Sequence, residues 1–133
     1  MADTMKFYKN IILPVSGLAP YAKNSRTHED TQVDQICVSM KEFGFTNPVL
    51  IDEKNNIIAG HGRVLAANKL GLKEVPCIIL DGLTELQKQA YVIADNNIAL
   101  NSGWDYELLA VELNDIKHQG FDIDITGFSD IDL

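Results

Sequence analysis

Short Ile- and Val-rich runs alternating with stretches of helical apolar spacing predict an α+β fold: a small sheet with helices packed on it, followed by a C-terminal helical appendage. Three observations carry this. The runs Ile11–Val15, Pro48–Asp52, Ile57–Ala59 and Val75–Leu80 have strand length and strand composition. Val33, Ile36, Cys37, Met40 and Phe43 recur on one helical face. Glycines at 44, 71 and 120 stand where helical patterns stop.

Taken in order, Ile11–Val15 is a strand that Pro14 restricts to an edge or an end, because proline cannot donate to a ladder. A polar loop, Leu18–His28, leads to a helix over Thr31–Phe43, for which Asp30 or Thr31 is the expected cap. Strand Pro48–Asp52 turns at Glu53–Asn56 and returns as Ile57–Ala59. Gly60-His61-Gly62-Arg63 then leads into a helix over Val64–Leu70 that packs through Leu65, Ala66 and Leu70. After strand Val75–Leu80, Thr84-Glu85-Leu86-Gln87 has the form of a capping box and opens a helix to about Leu100. Asp105 caps a last amphipathic helix bearing Leu108, Leu109, Leu113 and Ile116. Trp104 is expected to be a core anchor, and the tail from Phe121 to be extended. The expected division is a compact unit at 1–82 and an acidic helical extension at 83–133 packed on it.

With 133 residues, 46% hydrophobic and 23% charged, the chain has an ordinary globular composition. No apolar run approaches the ~20 residues of a membrane helix, and the first ten residues lack the apolar core of an export signal. The expectation is a cytoplasmic domain, with Cys37 and Cys77 as buried thiols. Net charge is −8, unevenly placed: residues 1–80 carry nine basic against eight acidic groups, and residues 81–133 carry two against eleven. No basic stripe is present, so direct duplex binding is expected to be weak and salt-dependent.

Chemistry concentrates at Gly60-His61-Gly62-Arg63. At a strand-to-helix corner, unpaired backbone N–H groups and the positive end of the helix dipole face an incoming anion. Glycine lets a phosphate approach the backbone. Arg63 is one of only two arginines, the other being Arg26, and its planar fork matches phosphate. His61 is the candidate catalytic group, able to donate, accept or act as general base. If Arg63 faces a ligand, its removal is expected to leave stability nearly unchanged. Taken by themselves, glycines at such a corner more often serve geometry than ligands.

The series Asn24-Ser25-Arg26-Thr27-His28, Glu42-Phe43-Gly44, Asn47-Pro48-Val49-Leu50-Ile51, Ile58-Ala59-Gly60-His61-Gly62-Arg63-Val64-Leu65-Ala66-Ala67 and Glu74-Val75-Pro76 resembles the ParB N-terminal domain. That module is often labelled a ParB-like nuclease domain and shares its mixed-sheet fold with sulfiredoxin. The resemblance spans residues 10–80. Beyond it, Tyr91–Asn97 and Ala99–Asp105 look like the subset found ahead of phage-type DNA modification methyltransferases.

The resemblance implies a nucleotide site for CTP or another nucleotide, with or without Mg2+. Gly60 and Arg63 match the first and last residues of a G-E-R-R segment that holds the triphosphate of CTP in partition proteins. Arg26 matches the arginine of a loop that closes over it, and Asn47 falls near a polar residue of the same pocket. His61 replaces the glutamate linked to hydrolysis and Gly62 replaces an arginine, which puts turnover and tight triphosphate affinity in question. Sulfiredoxin chemistry is excluded, because His61 stands where its catalytic cysteine sits. The segment is closer to the G-H-H-R of a free serine kinase of this fold.

The leading expectation is therefore a nucleotide- or phosphate-binding regulatory module of a DNA modification or partition system. Its partners would be a methyltransferase, DNA reached through another domain, or a second copy in a homodimer. A metal-dependent nuclease using His28, Glu29, Asp30 and His61 is the first alternative, and a pure interaction module with a structural glycine corner is the second. Asp95-Asn96-Asn97, polar inside an apolar helix, reads as a hydrogen-bonded helix end, with a functional surface as the alternative.

Overall fold

A computed structural model describes residues 5–20, 30–101 and 103–129. Its strands are β1 (Asn10–Pro14), β2 (Ala19–Pro20), β3 (Val49–Ile51), β4 (Asn56–Ala59) and β5 (Glu74–Ile79). The helices are α1 (Asp30–Phe43), α2 (His61–Lys69), α3 (Glu85–Asn101) and α4 (Tyr106–His118), with 3-10 turns at Val15–Gly17 and Ile123–Thr126.

The five strands form one mixed sheet in the order β1-β5-β3-β4-β2. β1 runs antiparallel to β5, with Leu13 opposite Val75, and β3 runs parallel to β5. β3 and β4 are an antiparallel hairpin whose register shifts between Leu50 and Ile51. Pro14 ends an edge strand, as its missing N–H requires.

Strand alternation divides the core between the two faces of the sheet. Val49, Ile51, Ile57, Val75 and Cys77 point to one side, against Val64 and Ala67 of α2. Behind α2, α1 packs through Val33 and Cys37 on Ala66. The adjacent residue Ile58 points the other way, joining Leu80 and Val92 of α3. Sulfur does not interrupt either layer: both cysteines are buried, and the Cys37 thiol donates to Ala66 O at 3.6 Å.

Helix α3 is also held by charge. The Lys88 ammonium, only 4% exposed, lies 3.4 Å from Asp52 Oδ2, 3.1 Å from Glu85 Oε1 and 3.7 Å from Glu53 Oε1. Asp52 is itself buried, and its carboxylate accepts the N–H groups of Lys54 and Asn56 at 2.9 Å each and the Asn56 side-chain amide at 3.1 Å. Burial alone would raise the Asp52 carboxyl. The Asn56 and Lys54 hydrogen bonds and the Lys88 charge outweigh it and hold the group below its ordinary value. Lys88 is raised, chiefly by its hydrogen bond to Glu85, against the opposing effect of burial.

The capping box at α3 is formed: Thr84 N–H donates to Gln87 Oε1 at 2.9 Å and Gln87 N–H to Thr84 Oγ1 at 3.1 Å. Asp105 caps α4 by accepting the Leu108 N–H at 3.1 Å.

Four expectations change. α2 begins at His61 rather than Val64, because a first helical turn needs no side-chain packing and tolerates glycine. Leu65 faces outward at 45% exposure, while Val64, Ala66 and Ala67 pack inward. Trp104 is 58% exposed, in an edge-on contact with Phe128, ring centroids 5.6 Å apart, so it is not a core anchor. The tail after Phe121 coils into the 3-10 turn that buries Ile123, and Phe121 stacks on Phe43 of α1 at 6.4 Å.

Candidate functional site

The first turn of α2 forms the floor of a cleft of about 390 Å³. Helix α1, through Gln32, Ile36, Ser39 and Met40, and the loop 44–47 make one wall, and Val92, Asp95 and Asn96 of α3 make the other. β4 delivers the chain to this floor at Gly60, the N-cap of α2, whose φ of +100° only glycine adopts at low cost. A Cβ there would lie 3.0 Å from Arg63 Nη1 and 3.4 Å from Val49 Cα. No side chain caps this helix, so the N–H groups of its first turn are not claimed by an N-cap side chain. Gly62, the second helical residue, is buried, and His61 is half-buried at the cleft floor.

Arg63 does not simply point into solvent. Its Nη1 donates to Pro48 O at 2.8 Å and so ties the helix to the 44–48 loop. Burial pushes the guanidinium pKa down, while the charge of Asp95 and the nearby Tyr91 act in the opposite sense. Tyr91 OH donates to Asp95 Oδ1 at 3.4 Å, and burial together with the Asp95 charge raises the Tyr91 phenol. The expectation that removing Arg63 leaves stability nearly unchanged thereby loses its ground: the side chain holds a carbonyl as well as lining the cleft.

The cleft thus gathers Gly60, His61, Gly62, Arg63 and Asn47, as the sequence led one to expect. Arg26 lies outside the described residues, as do His28 and Glu29 of the nuclease alternative; Asp30 is the first residue of α1. Among the described residues no three His, Cys, Asp or Glu side chains converge as a metal centre. Two cleft residues were left out of the expected site. Asp95 and Asn96 read first as a helix end and only second as a functional surface, yet they sit inside α3 and line the cleft, with the Asn96 amide donating to Val92 O at 2.9 Å. Their spacing from Val92, three and four residues on, was the available signal: it puts them on the edge of the face that packs on the sheet.

Comparison with known proteins agrees with this architecture. Residues 2–97 match the model of the ParB N-terminal domain. The chain belongs to that family. Residues 107–133 match the ParB-methyltransferase HTH domain. Over 81 residues the chain is 58% identical to the ParB-like nuclease domain-containing protein YnaK of Escherichia coli (strain K12), covering 61% of this chain and 93% of that one. It is 30% identical over 97 residues to the nucleoid occlusion protein of Bacillus cereus (strain B4264), covering 68% of this chain but 33% of that protein.

Among solved structures, the C-terminally truncated chromosome-partitioning protein ParB from Caulobacter crescentus, complexed with CTP-gamma-S, superposes with a TM-score of 0.69 at 22% identity. That match covers 80% of this chain and 61% of the other. A pNOB8-like ParB N-domain gives 0.58 at 15% identity, over 86% and 47% of the two chains. These likenesses establish the ParB fold. The ParB family match also runs through residue 97, taking in the α3 residues that wall the cleft.

Proposed function

We propose that the cleft binds the phosphates of a nucleotide, CTP or another, and that the domain serves as a nucleotide-dependent regulatory module of a DNA modification or partition system. The observation that carries this reading is the pairing of an uncapped α2 N-terminus, opened by Gly60 and flanked by Arg63, with a carboxylate on the facing helix. The helix start and the guanidinium attract anions. Asp95 alone would repel them. A divalent cation carried by the nucleotide reconciles the two, since Mg2+ is commonly held by one or two carboxylates together with substrate phosphates. Asp95 and Asn96 would supply its protein ligands, and Asn47 would close the opposite rim.

Support also comes from the solved partition protein holding CTP-gamma-S and from the methyltransferase-associated HTH match. A DNA modification methyltransferase is the partner these favour, with DNA engaged through another domain.

The test is calorimetric titration of CTP, ATP and ADP with and without Mg2+. Binding of at least one nucleotide is expected, stronger with Mg2+. Asp95→Ala should abolish the Mg2+ enhancement, and Arg63→Ala should weaken affinity tenfold to about a hundredfold, as loss of a charge-assisted contact does. Absence of binding by all three nucleotides would defeat the reading.

A further inference from the structure

Lys88, Val92 and Asp95 share one face of α3, at the spacing that aligns side chains along a helix, and each meets a different part of the molecule. Lys88 reaches Asp52 in the turn between β3 and β4. Val92 packs on Ile58 of β4. Asp95 lines the cleft, close enough to Arg63 for their charges to act on each other. Among the described residues of α3 only Lys88 and Val92 are buried, with Tyr91 and Asn96 half-buried. The helix that brings a carboxylate to the cleft is therefore seated by one apolar side chain and one charged one.

The charged seat is the directional one. Apolar contact is non-directional, so Val92 would pack on Ile58 over a range of helix rotations. An ammonium must instead find its carboxylate, and Asp52 is not free to follow it. Its Oδ1 accepts the N–H groups of Lys54 and Asn56, and its Oδ2 accepts the Asn56 amide. Asn56 opens β4, the strand that delivers Gly60 to the cleft floor. Asp52 is thus common to both sides of the cleft, tied to the floor along the chain and to the α3 wall through Lys88. Successive helical residues are about 100° and about 1.5 Å apart, so a slip of one residue at Lys88 would turn Asp95 away from α2.

We propose that Lys88, seated on Asp52, is the positioning residue for the cation half of this cleft: it sets the register of α3, and so the place where Asp95 meets Mg2+ carried by a nucleotide. This rests on the nucleotide reading given above. Lys88 itself touches no ligand there. Neither it nor Asp52, Glu53 or Glu85 lines the cleft, and Asp95 lies about 10 Å further along the helix. Fixing register is the best-attested use of a buried polar pair.

Lys88→Met keeps the apolar stem and deletes the ammonium. It leaves Asp52 buried without its cation and should melt lower than the parent. Asp52→Asn combined with Lys88→Met removes both charges and should recover most of that loss. Titrated with CTP, ATP and ADP below their melting temperatures, both variants should bind about tenfold to a hundredfold less tightly with Mg2+, the usual cost of losing a group that orients a metal ligand. Affinity without Mg2+ should stay that of the parent, because α2 and Arg63 are held by the core and by Pro48 O, not by α3. In an Asp95→Ala background, Lys88→Met should change the Mg2+ response no further, since the two act through one contact. On the nucleotide-free protein, amide exchange should quicken across residues 89–98 in both variants and stay unchanged across α2. A role in stability alone gives another pattern: the double variant regains the Mg2+ enhancement together with its melting temperature, or Lys88→Met weakens binding equally with and without Mg2+. Either result overturns the proposal, as does unchanged exchange across α3. A wild type that binds no nucleotide defeats the reading of the cleft instead, and exchange then decides by itself whether Lys88 seats α3.

Discussion

Helices α2 and α4 are attached to the molecule in different ways. α2 spans nine residues and buries Gly62, Val64, Ala66 and Ala67. α4 spans thirteen and buries only Leu113. The shorter helix is built into the core between the sheet and α1, while the longer one leans on a 3-10 turn at the edge. Elements packed into the core open only with global unfolding, whereas thinly attached ones open locally. The phosphate site proposed at α2 would need the first kind of support, because its donors must already be in place when a ligand arrives. A surface that meets partners tolerates the second. α3 lies between these extremes, pinned at its start by the Lys88 charges and along its length by Val92.

The largest break in this contrast should come from Ile51→Ala. Ile51 is fully buried under α2, and truncation should cost about 2–5 kcal/mol in denaturant melts. Gly60→Val comes next. The positive φ costs a branched residue about 1–3 kcal/mol, and the new side chain meets Val49 and Arg63 besides. It should lower both the melting temperature and nucleotide affinity, coupling scaffold and site.

Arg63→Ala should destabilise by about 1–2 kcal/mol through the lost bond to Pro48 O. Arg63→Lys should recover only part of this, since it keeps the charge but not the fork.

The α3 attachment is sharpened by pH. Asp52 is held below its unfolded value of about 3.9, so its contribution is fully present above that pH and is lost as pH falls through the folded value. Lys88 is raised, so its contribution is present below about 10.4 and is lost as pH rises through the folded value. Asp52→Asn should therefore be less stable than the parent at neutral pH, with the gap between them closing in acid; urea melts at the two pH values check this. The smallest effect belongs to α4: Leu108→Ala should stay within about 0.5 kcal/mol, while amide exchange should be faster across α4 than across α2.

Much of this was readable in the sequence where local chemistry decides. Thr84 with Gln87, and Asp105 with the Leu108 N–H, are caps whose partners lie within four residues, so pattern alone located them. The β3–β4 hairpin and the glycine corner were legible for the same reason. What escaped depends on distant partners. A lysine at position 88 of a surface-type helix reads as solvated, and only its meeting with Asp52, 36 residues away, buries it. Asp95 looked like a helix end because nothing in its own neighbourhood reveals that α2 lies across from it. Trp104 read as core because it is large and unique, but the fold leaves it 58% exposed. β2 is two residues long and is defined solely by pairing with β4, which no local pattern announces.

The start of α2 sets three neighbouring positions under unequal constraint. Gly60 is fixed by its backbone and Gly62 is buried, while His61 between them is half-buried at the cleft floor within the helix. Imidazole, carboxylate and thiol side chains all suit such a position without disturbing the turn that carries them. Position 61 is in that sense interchangeable: a lineage can change the side chain there at one codon while inheriting the turn intact. A library randomised at position 61 alone should therefore remain folded across most of its members, which makes this corner a natural starting point for installing new reactivity.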